Sequence, residues 1–496
     1  MKLEIVLPFA IYMVITVGVA IWARKAMAES VARGGSFMDE FFVAGRSVGP
    51  LILAFTFMAT FASAGTFIGY PGLAYRNGLT VVMTGINQIT MAYLTFALIG
   101  KRMAVIGHRT GALTFTEVLR RRFDHPLVSF GAAIAIIIFF IAFMIGQFAG
   151  AARILQTVSG VPYYVGVLLF GGVVAVTVVI GGFRAVAWTD FVQGAFMLLG
   201  LLMVFPAFVV FGGGFEKITT KLLTEDPGLV FGPGPKEWLP PSMLISFWIL
   251  WVWLAVANPA TAVRFLAAKN SKTIHQGLII GSIMALIFYV PMFYMGAGTR
   301  TIFPGIAPDV AIPNIYMATL PIWFVGIALA APFAAVMSTV DSLLLEMSGT
   351  IVRDIYQRYI NPKASDVFLM RLAYAVAGGI GILVLVLAFQ PPKLIANLVI
   401  YFGGGVVAAF AVPIIAALYW RWATTWGAIA SIFGGFLTYI LLDIYYKNPL
   451  KIMSYLWGVG ASFVLLYVVS KLTKPSDKST LDLYYGKPKG ASAAAE

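Results

Sequence analysis

Residues 43–75, VAGRSVGPLILAFTFMATFASAGTFIGYPGLAY, are long and apolar enough to cross a bilayer, yet small and hydroxylated residues cluster in their middle. The cluster includes Thr56, Thr60, Ser63, Gly65 and Thr66. Glycine costs a helix about 1 kcal/mol relative to alanine, and Ser and Thr side chains compete for backbone hydrogen bonds. In hydrocarbon, a broken helix persists only where its freed backbone groups face protein, water or an ion. The stretch therefore predicts either an unwound transmembrane helix at a transport site or close helix packing through small residues.

The whole chain has the composition of a polytopic helical membrane protein. Of its 496 residues, 60% are hydrophobic and only 11% are charged, whereas a soluble domain has about 25% charged residues. Charge-free runs at 126–152, 154–183, 310–340 and 394–420 exceed the roughly 20 residues that a membrane helix needs. We predict an all-α fold with thirteen transmembrane spans, at 3–23, 50–74, 80–100, 126–156, 164–183, 188–212, 243–262, 276–298, 322–349, 372–390, 394–420, 425–444 and 452–470.

Basic residues alternate between the connections. One alternate set of connections holds 24 of the 34 Lys and Arg residues, and the other set holds nine. The positive-inside rule then places the N-terminus outside and the C-terminus in the cytoplasm of a cell inner membrane. It also accounts for the net charge of +14 without a nucleic-acid partner.

The chain is predicted to form one transporter domain over residues 1–473, with a low-complexity and disordered tail over 474–496. The absence of cysteine excludes disulfides and thiolate chemistry. The three histidines fall in short polar connections and are interpreted as loop residues: His108, His125 and His275. The two longest outer connections, 213–240 and 299–321, are predicted to be ordered caps.

A second interruption occurs in span seven, where residues 247–264 read FWILWVWLAVANPATAVR. Pro259 removes a backbone hydrogen bond and clashes with the preceding turn, which produces either a simple kink or a break. Spans two and seven are an odd number of spans apart, so they cross the membrane in opposite directions. This is the arrangement of an inverted repeat of five plus five helices. The repeats would be spans two to six, about 45–212, and spans seven to eleven, about 243–420, with extra helices at 3–23, 425–444 and 452–470.

The chain resembles the sodium:solute symporter family, whose fold is of the LeuT type. Four segments carry the resemblance: GRSVGP at 45–50 running into 59–72, GGFRAVAWTDFVQG at 181–194, AAVMSTVDS at 334–342, and 417–435 with its WGAIASIFGG. Within the family the chain is similar to sodium/pantothenate symporters, through SFW at 246–248, PATAVR at 259–264 and NSKTIHQGLIIG at 270–281. One departure is Trp422, where the family pattern has Lys or Arg.

The resemblance implies a sodium site with five ligands from two helices. These are the backbone carbonyls of Ala59 and Ala62 in span two, together with Ala335, Ser338 and Thr339 in span nine. The spacing of the last three, at i, i+3 and i+4, places them on one helical face. Several oxygen ligands are what a hard cation prefers, although packing of small residues remains the alternative role.

Acidic residues near this site have two interpretations each. Asp190 is predicted to open span six, where the helix dipole favours a carboxylate. The resemblance instead implies that Asp190 tunes sodium affinity or holds a second sodium with Ser342. Asp341 is either a pathway carboxylate or the partner of a cytoplasmic-side Arg.

Residues beside the two breaks are predicted to line a central solute site: Ser63, Ala64, Thr66, Trp253, Ala257 and Asn258, with Gln88 and Tyr401 as polar additions. Only the region of Ser63 matches the family's substrate-contacting stretch. We see no basic residue clearly inside these segments. A carboxylate would therefore be held by half-helix N-termini and by hydroxyl or amide donors.

The predicted function is sodium-coupled import of a small organic solute, with an anionic monocarboxylate such as pantothenate first, by alternating access. Short monocarboxylates and proline are the alternative solutes. A membrane sensor would need a larger cytoplasmic domain than the tail offers. An enzyme would need convergent acid–base groups. A channel is harder to exclude, because a channel also needs an ion site. The expected partners are sodium ion, the solute and the lipid bilayer. The oligomeric state stays open, with a monomer as one option.

Overall fold

The computed structural model describes residues 3–178, 182–390 and 392–486. The first half of the described chain contains α1 (Leu3–Ala32), α2 (Phe37–Val43), α3 (Pro50–Phe61), α4 (Tyr70–Asn77), α5 (Thr80–Gly85), α6 (Gln88–Thr95), α7 (Lys101–Thr110), α8 (Phe115–Arg122), α9 (Pro126–Ser159), α10 (Tyr163–Val178) and α11 (Gly182–Phe211). The second half contains α12 (Phe215–Glu225), α13 (Pro241–Ala257), α14 (Pro259–Leu266), α15 (Ser271–Thr299), α16 (Ala311–Thr319), α17 (Ile322–Gly349), α18 (Asp366–Ala388), α19 (Ile395–Tyr419), α20 (Thr425–Tyr445), α21 (Ser454–Leu472) and α22 (Lys478–Tyr485). π-Helical turns at Gly65–Gly69, Phe96–Gly100 and Thr350–Ile360 extend α4, α6 and α17.

The described helices confirm an all-α polytopic membrane protein. Ten helical segments of the described chain are long and apolar enough to cross a membrane by length and composition, and two bent helix pairs bring that number to twelve. The remaining expected span, 164–183, corresponds to the shorter α10, and its last residues reach 179–181, outside the described residues. The count of thirteen therefore stays a prediction.

Both interrupted spans are bent at the expected places. The axis turns by 58° between Pro50–Phe61 and Gly65–Asn77, and by 47° between Pro241–Ala257 and Pro259–Leu266. At the second break, Asn258 is extended and its side-chain oxygen accepts the Ala260 N–H at 3.1 Å. Pro259 has no N–H, so the half-helix α14 begins without an unsatisfied donor there. The simple kink is excluded, because each break starts a new helix.

The tail is folded where disorder was predicted, and that prediction is wrong for residues 474–486. The Arg122 guanidinium, which is almost fully buried in α8, donates to Ser476 Oγ at 2.7 Å and Tyr485 Oη at 3.1 Å. Tyr484 is buried and donates to the Val118 carbonyl. A buried guanidinium needs such partners, so the tail helix α22 is fastened to the body. Residues 487–496 lie outside the described residues.

The two connections predicted to lie outside carry helices of their own, as expected for ordered caps. α12 lies in the first of them, and a short turn at Pro308–Val310 with α16 lies in the second. Asp309 Oδ2 accepts the backbone N–H of Ile395 at 3.2 Å, which caps the start of α19. Burial raises the pKa of the Asp309 carboxyl to about 6.

Gly296 permits a close approach between α15 and α4, the second half of span two. A Cβ atom at this position would lie 2.3 Å from the Pro71 carbonyl oxygen. Gly296→Ala is therefore expected to lower stability by about 1–3 kcal/mol, because backbone cannot move aside cheaply. Thermal unfolding of the purified protein in detergent measures this. Gly281→Ala on the same helix is the control, since its nearest neighbour would lie at 3.8 Å, and an equal loss in both variants would contradict the close-approach argument.

Candidate functional site

The break in span two frees two backbone carbonyls. In an unbroken helix the Ala59 carbonyl would accept the Ser63 N–H, but that N–H points to Thr66 Oγ1 at 3.4 Å instead. The Thr66 N–H bonds to the Ser63 carbonyl at 2.9 Å rather than to Ala62. Ala62 is extended, with φ −68° and ψ 108°. The carbonyls of Ala59 and Ala62 are thus available to other groups.

The hydroxyls of α17 meet these two carbonyls. Ser338 Oγ lies 3.0 Å from the Ala59 oxygen, and Thr339 Oγ1 lies 3.4 Å from the Ala62 oxygen. Both hydroxyls also contact the Ala335 carbonyl, at 3.1 and 2.9 Å. The structure therefore brings all five predicted sodium ligands together in one buried cluster of oxygens.

This cluster fits an alkali cation in its chemistry. Three carbonyl and two hydroxyl oxygens are hard, neutral ligands, which suit a hard monovalent ion. Ser338 and Thr339 are fully buried, and so is Ala335. Hydroxyls that now donate to the carbonyls can rotate and turn lone pairs toward an ion.

A buried ion pair lies one helical turn toward the predicted cytoplasmic side. Arg264 Nη2 is 3.1 Å from Asp190 Oδ2 and 2.7 Å from Ser342 Oγ, and its Nε donates to the Thr56 carbonyl at 3.0 Å. Thr56 Oγ1 also donates to the same Asp190 oxygen. One guanidinium therefore connects α3, α11 and α17 to α14.

Two sequence predictions need correction here. Asp190 does not open span six, because α11 begins at Gly182 and Asp190 lies fully buried in its third turn. The expectation of no basic residue inside these segments is also wrong, because Arg264 is only 2% exposed within α14. The predicted span 243–262 placed Arg264 in the connection that follows it, whereas the half-helix continues to Leu266.

A narrow cavity adjoins both breaks. Its lining comes from six of the expected spans and consists of Thr60, Phe61, Ser63, Gly65, Thr66, Tyr70, Gln88, Phe143, Trp251, Leu254, Asn258, Tyr289, Phe293, Val399 and Phe402. Four of the predicted solute residues, Ser63, Thr66, Gln88 and Asn258, are among them. We call this space the central cavity.

Two buried hydrogen-bond donors line the central cavity. Tyr70 Oη and Trp251 Nε1 are buried, and neither has a hydrogen-bond partner in the part of the chain that the structure describes. Their rings contact each other at a centroid distance of 5.1 Å. A buried donor without a partner carries a desolvation cost, so these two groups mark where a polar ligand would be bound.

The other predicted solute residues lie elsewhere. The Ala64 N–H donates to Gln147 Oε1 at 2.8 Å, and its side chain packs against Gly150. Ala257 is buried outside the lining, and Trp253 lies two residues from Trp251, which turns it to a different face of α13. Tyr401 lines a separate cavity toward the predicted outer side.

Sequence analysis missed Tyr70, Gln147, Trp251, Tyr289 and Arg264. Gln147 stands in a charge-free membrane run, and Arg264 follows the Asn258-Pro259 break by six residues; intramembrane polar residues of this kind are functional candidates. The three aromatic residues carry no sequence signal that separates them from packing residues.

Two discontinuous helices, an oxygen site between the first of them and α17, and an adjoining cavity define a cation-coupled secondary transporter. The chain belongs to the sodium:solute symporter family, whose model matches residues 41–435.

Individual relatives agree with that membership. The chain is 36% identical over 445 residues to a sodium/pantothenate symporter of Escherichia coli (strain K12), across 89% of this chain and 91% of that protein. It is 27% identical over 469 residues to the high-affinity proline transporter PutP of Bacillus subtilis (strain 168), across 90% and 96% of the two chains.

A solved structure of a Na+-coupled sialic acid symporter, in its substrate-bound outward-open state, matches the fold. The TM-score is 0.78 at 19% identity, and the match covers 96% of this chain and 99% of that one. The five-plus-five LeuT-type architecture is confirmed, and the family's coupling ion is sodium. The chain is a multi-pass membrane transporter of a small organic solute rather than an enzyme.

Proposed function

We propose that this transporter imports a small carboxylate, with pantothenate as the first candidate, together with sodium. Relatives named sodium/pantothenate symporters are 36% and 35% identical to the chain, which is nearer than the 27% of the proline transporter. The observation that carries the proposal is the pair of unpartnered donors, Tyr70 Oη and Trp251 Nε1, in the central cavity. Donors suit a ligand that is rich in acceptor oxygens.

A carboxylate can be bound here by neutral groups. The described lining of the central cavity contains no charged side chain. The half-helix α14 begins at the cavity beside Asn258, and the outer half of span two begins beside Ser63. Helix N-termini carry a partial positive charge of about half an elementary charge. These two N-termini, with the donors of Tyr70 and Trp251, support the proposed anionic character of the solute.

Sodium and solute would be coupled through the break in span two. The Ala59 and Ala62 carbonyls face the oxygen cluster, and Ser63 and Thr66, which follow directly, face the cavity. An ion bound to these carbonyls would hold the break in one conformation, so the solute would find its contacts already ordered. The coupling is reciprocal in free energy, so solute is also expected to tighten sodium binding.

Arg264 would close the cytoplasmic side of the pathway. Its contacts join α3 and α11 from the first repeat to α14 and α17 from the second. Rocking of one helix group against the other would have to break them. The charge bias of the connections supports an N-terminus outside and a C-terminus in the cytoplasm, which orients this cluster toward the cytoplasm.

A second sodium site at Asp190 and Ser342 stays a prediction, and the Arg264 guanidinium would compete with an ion there. Asp190 Oδ1 is buried with no partner among the described residues, while Oδ2 and Ser342 Oγ bond to Arg264. A second ion there requires the guanidinium to shift. With one sodium per monoanion, transport would be electroneutral; with two, each cycle would gain about 2.3 kcal/mol per 100 mV. A monomer would contain all the residues named here for sodium and solute binding.

The experiment is uptake of radiolabelled pantothenate into proteoliposomes, with an inward sodium gradient or with choline. Sodium-dependent, saturable uptake that excess proline does not inhibit is expected. A valinomycin-clamped potassium gradient then separates one sodium from two. Proline uptake in place of pantothenate would overturn the solute assignment and leave the sodium symport intact.

Tyr70→Phe tests the solute site directly. Loss of one hydroxyl that binds a ligand oxygen is expected to raise the half-saturating solute concentration by about tenfold, from the roughly 1.5 kcal/mol of such a bond. Tyr316→Phe is the matched control, because the Tyr316 hydroxyl is also buried without a described partner but lies in α16, away from the cavity. Equal effects in both variants would remove Tyr70 from the solute site.

A further inference from the structure

A second and larger cavity lies on the predicted outer side of the central cavity. Its volume is about 420 Å³, and it is bounded by α4, α13, α19, α20 and α21 with the segment before α13. We call it the outer vestibule. It contains Tyr401, which sequence analysis had assigned to the central solute site.

The outer vestibule and the central cavity share three helices. On α4, Leu73 lines the vestibule one turn beyond Tyr70 of the central cavity. On α13, Phe247 lines it one turn before Trp251. α19 contributes residues to both spaces. The rings of Tyr70 and Trp251 contact each other and lie one turn from Leu73 and Phe247, so the vestibule adjoins the central cavity on its predicted outer side.

One side of the vestibule carries two opposite charges, four residues apart in the chain. Asp443 is half-buried near the end of α20, and Lys447 follows it and is exposed. The rings of Tyr401 and Tyr439 stand beside them with centroids 5.7 Å apart. A cation at a cavity rim attracts anionic ligands, and a carboxylate accepts hydrogen bonds from hydroxyl and amide donors.

The backbone at the mouth of the vestibule has positive φ angles. Lys447 and Asn448 have φ values of 37° and 57°, a region that residues other than glycine seldom adopt. Asn448 Oδ1 accepts the Ser454 N–H at 3.1 Å, and the Asn448 N–H donates to Ser454 Oγ at 3.1 Å. This reciprocal pair fixes the turn and so keeps Lys447 at the mouth of the vestibule.

We propose that the outer vestibule is a reception site for the solute. The solute's carboxylate pairs with the Lys447 ammonium, and its hydroxyl or amide N–H groups face Asp443, before it passes Tyr70 and Trp251. The chemical class is a small carboxylate that also carries hydrogen-bond donors. The proposal rests on the proposed function, because it uses the same solute one step earlier.

The test compares Lys447→Gln with Lys451→Gln in proteoliposomes at low ionic strength. Lys451 is an exposed lysine of the same connection and does not line the vestibule. Lys447→Gln is expected to raise the half-saturating pantothenate concentration at least threefold without changing the maximal rate, and added choline chloride should shrink the difference. Lys451→Gln should behave as wild type. Inhibition by the neutral alcohol analogue of pantothenate should be equal in all three proteins.

Equal kinetics for the two lysine variants, or an equal loss of affinity for the neutral alcohol, would overturn the reception site. Failure of the proposed function has a different signature, because the wild-type protein would then take up no pantothenate in sodium. In that event the same pair of variants is compared on the carboxylate that the wild type does transport, with proline tried first.

Discussion

Thr339→Val is expected to raise the sodium concentration for half-maximal uptake by about tenfold to a hundredfold. Valine keeps the shape of threonine but removes the hydroxyl that lies 3.4 Å from the Ala62 carbonyl and 2.9 Å from the Ala335 carbonyl. A polar contact to a charged group contributes about 1.5–3 kcal/mol, and each 1.4 kcal/mol is about tenfold in binding. Because Thr339 is fully buried, water cannot easily replace the missing ligand.

The measurement is the sodium dependence of initial solute uptake in proteoliposomes. Thr339→Ser keeps the hydroxyl and should stay within a few-fold of wild type. Ser338→Ala should resemble Thr339→Val, because Ser338 Oγ lies 3.0 Å from the Ala59 carbonyl. An unchanged sodium dependence in both Thr339→Val and Ser338→Ala would exclude this oxygen cluster as the coupling site.

Arg264→Ala is expected to destabilise the protein by about 3–5 kcal/mol, because it leaves the Asp190 carboxylate buried and unpaired. Asp190 is fully buried, and Arg264 is 2% exposed. The change also removes the contacts to the Thr56 carbonyl and Ser342, which we propose close the pathway on its predicted cytoplasmic side. We therefore expect a large fall in the thermal unfolding temperature in detergent and loss of uptake.

Two comparisons separate the buried pair from general damage. Arg264→Gln with Asp190→Asn removes both charges and should recover much of the thermal stability without restoring uptake. Arg300→Ala breaks a more exposed pair with Glu225, whose side chains are 29% and 43% exposed, and should cost no more than about 1 kcal/mol. If Arg264→Ala and Arg300→Ala unfold at the same temperature, the buried pair of Arg264 and Asp190 does not stabilise the protein more than the exposed pair does.

Much of the fold could be predicted from local patterns. Charge-free runs predicted the spans. The two breaks were predicted by the Gly, Ser and Thr cluster of span two and by Asn258-Pro259 of span seven. These signals are local because a membrane helix satisfies its own backbone and because a break needs residues that weaken that helix. The failure at the tail has the opposite cause. Its order comes from Arg122 and Val118, which lie more than 350 residues earlier in the chain.

The family resemblance names the five predicted sodium ligands, and the i, i+3, i+4 spacing of Ala335, Ser338 and Thr339 places those three on one face of α17. The lining of the central cavity was harder to predict. Choosing Trp251 rather than Trp253 requires the rotation of α13 about its axis, and a run that is apolar on all sides does not define that rotation.

The sequence by itself determined the membrane class and the two interrupted spans, and it predicted the five sodium ligands, because composition, helix breakers and short spacings are properties of neighbouring residues. Only the tertiary structure decided that Arg264 is paired with Asp190, that Tyr70 and Trp251 face the central cavity, and that Tyr401 belongs to the outer vestibule. Each of these depends on how separate helices are turned and packed against one another, and a buried charge or donor acquires its role from partners far away in the chain.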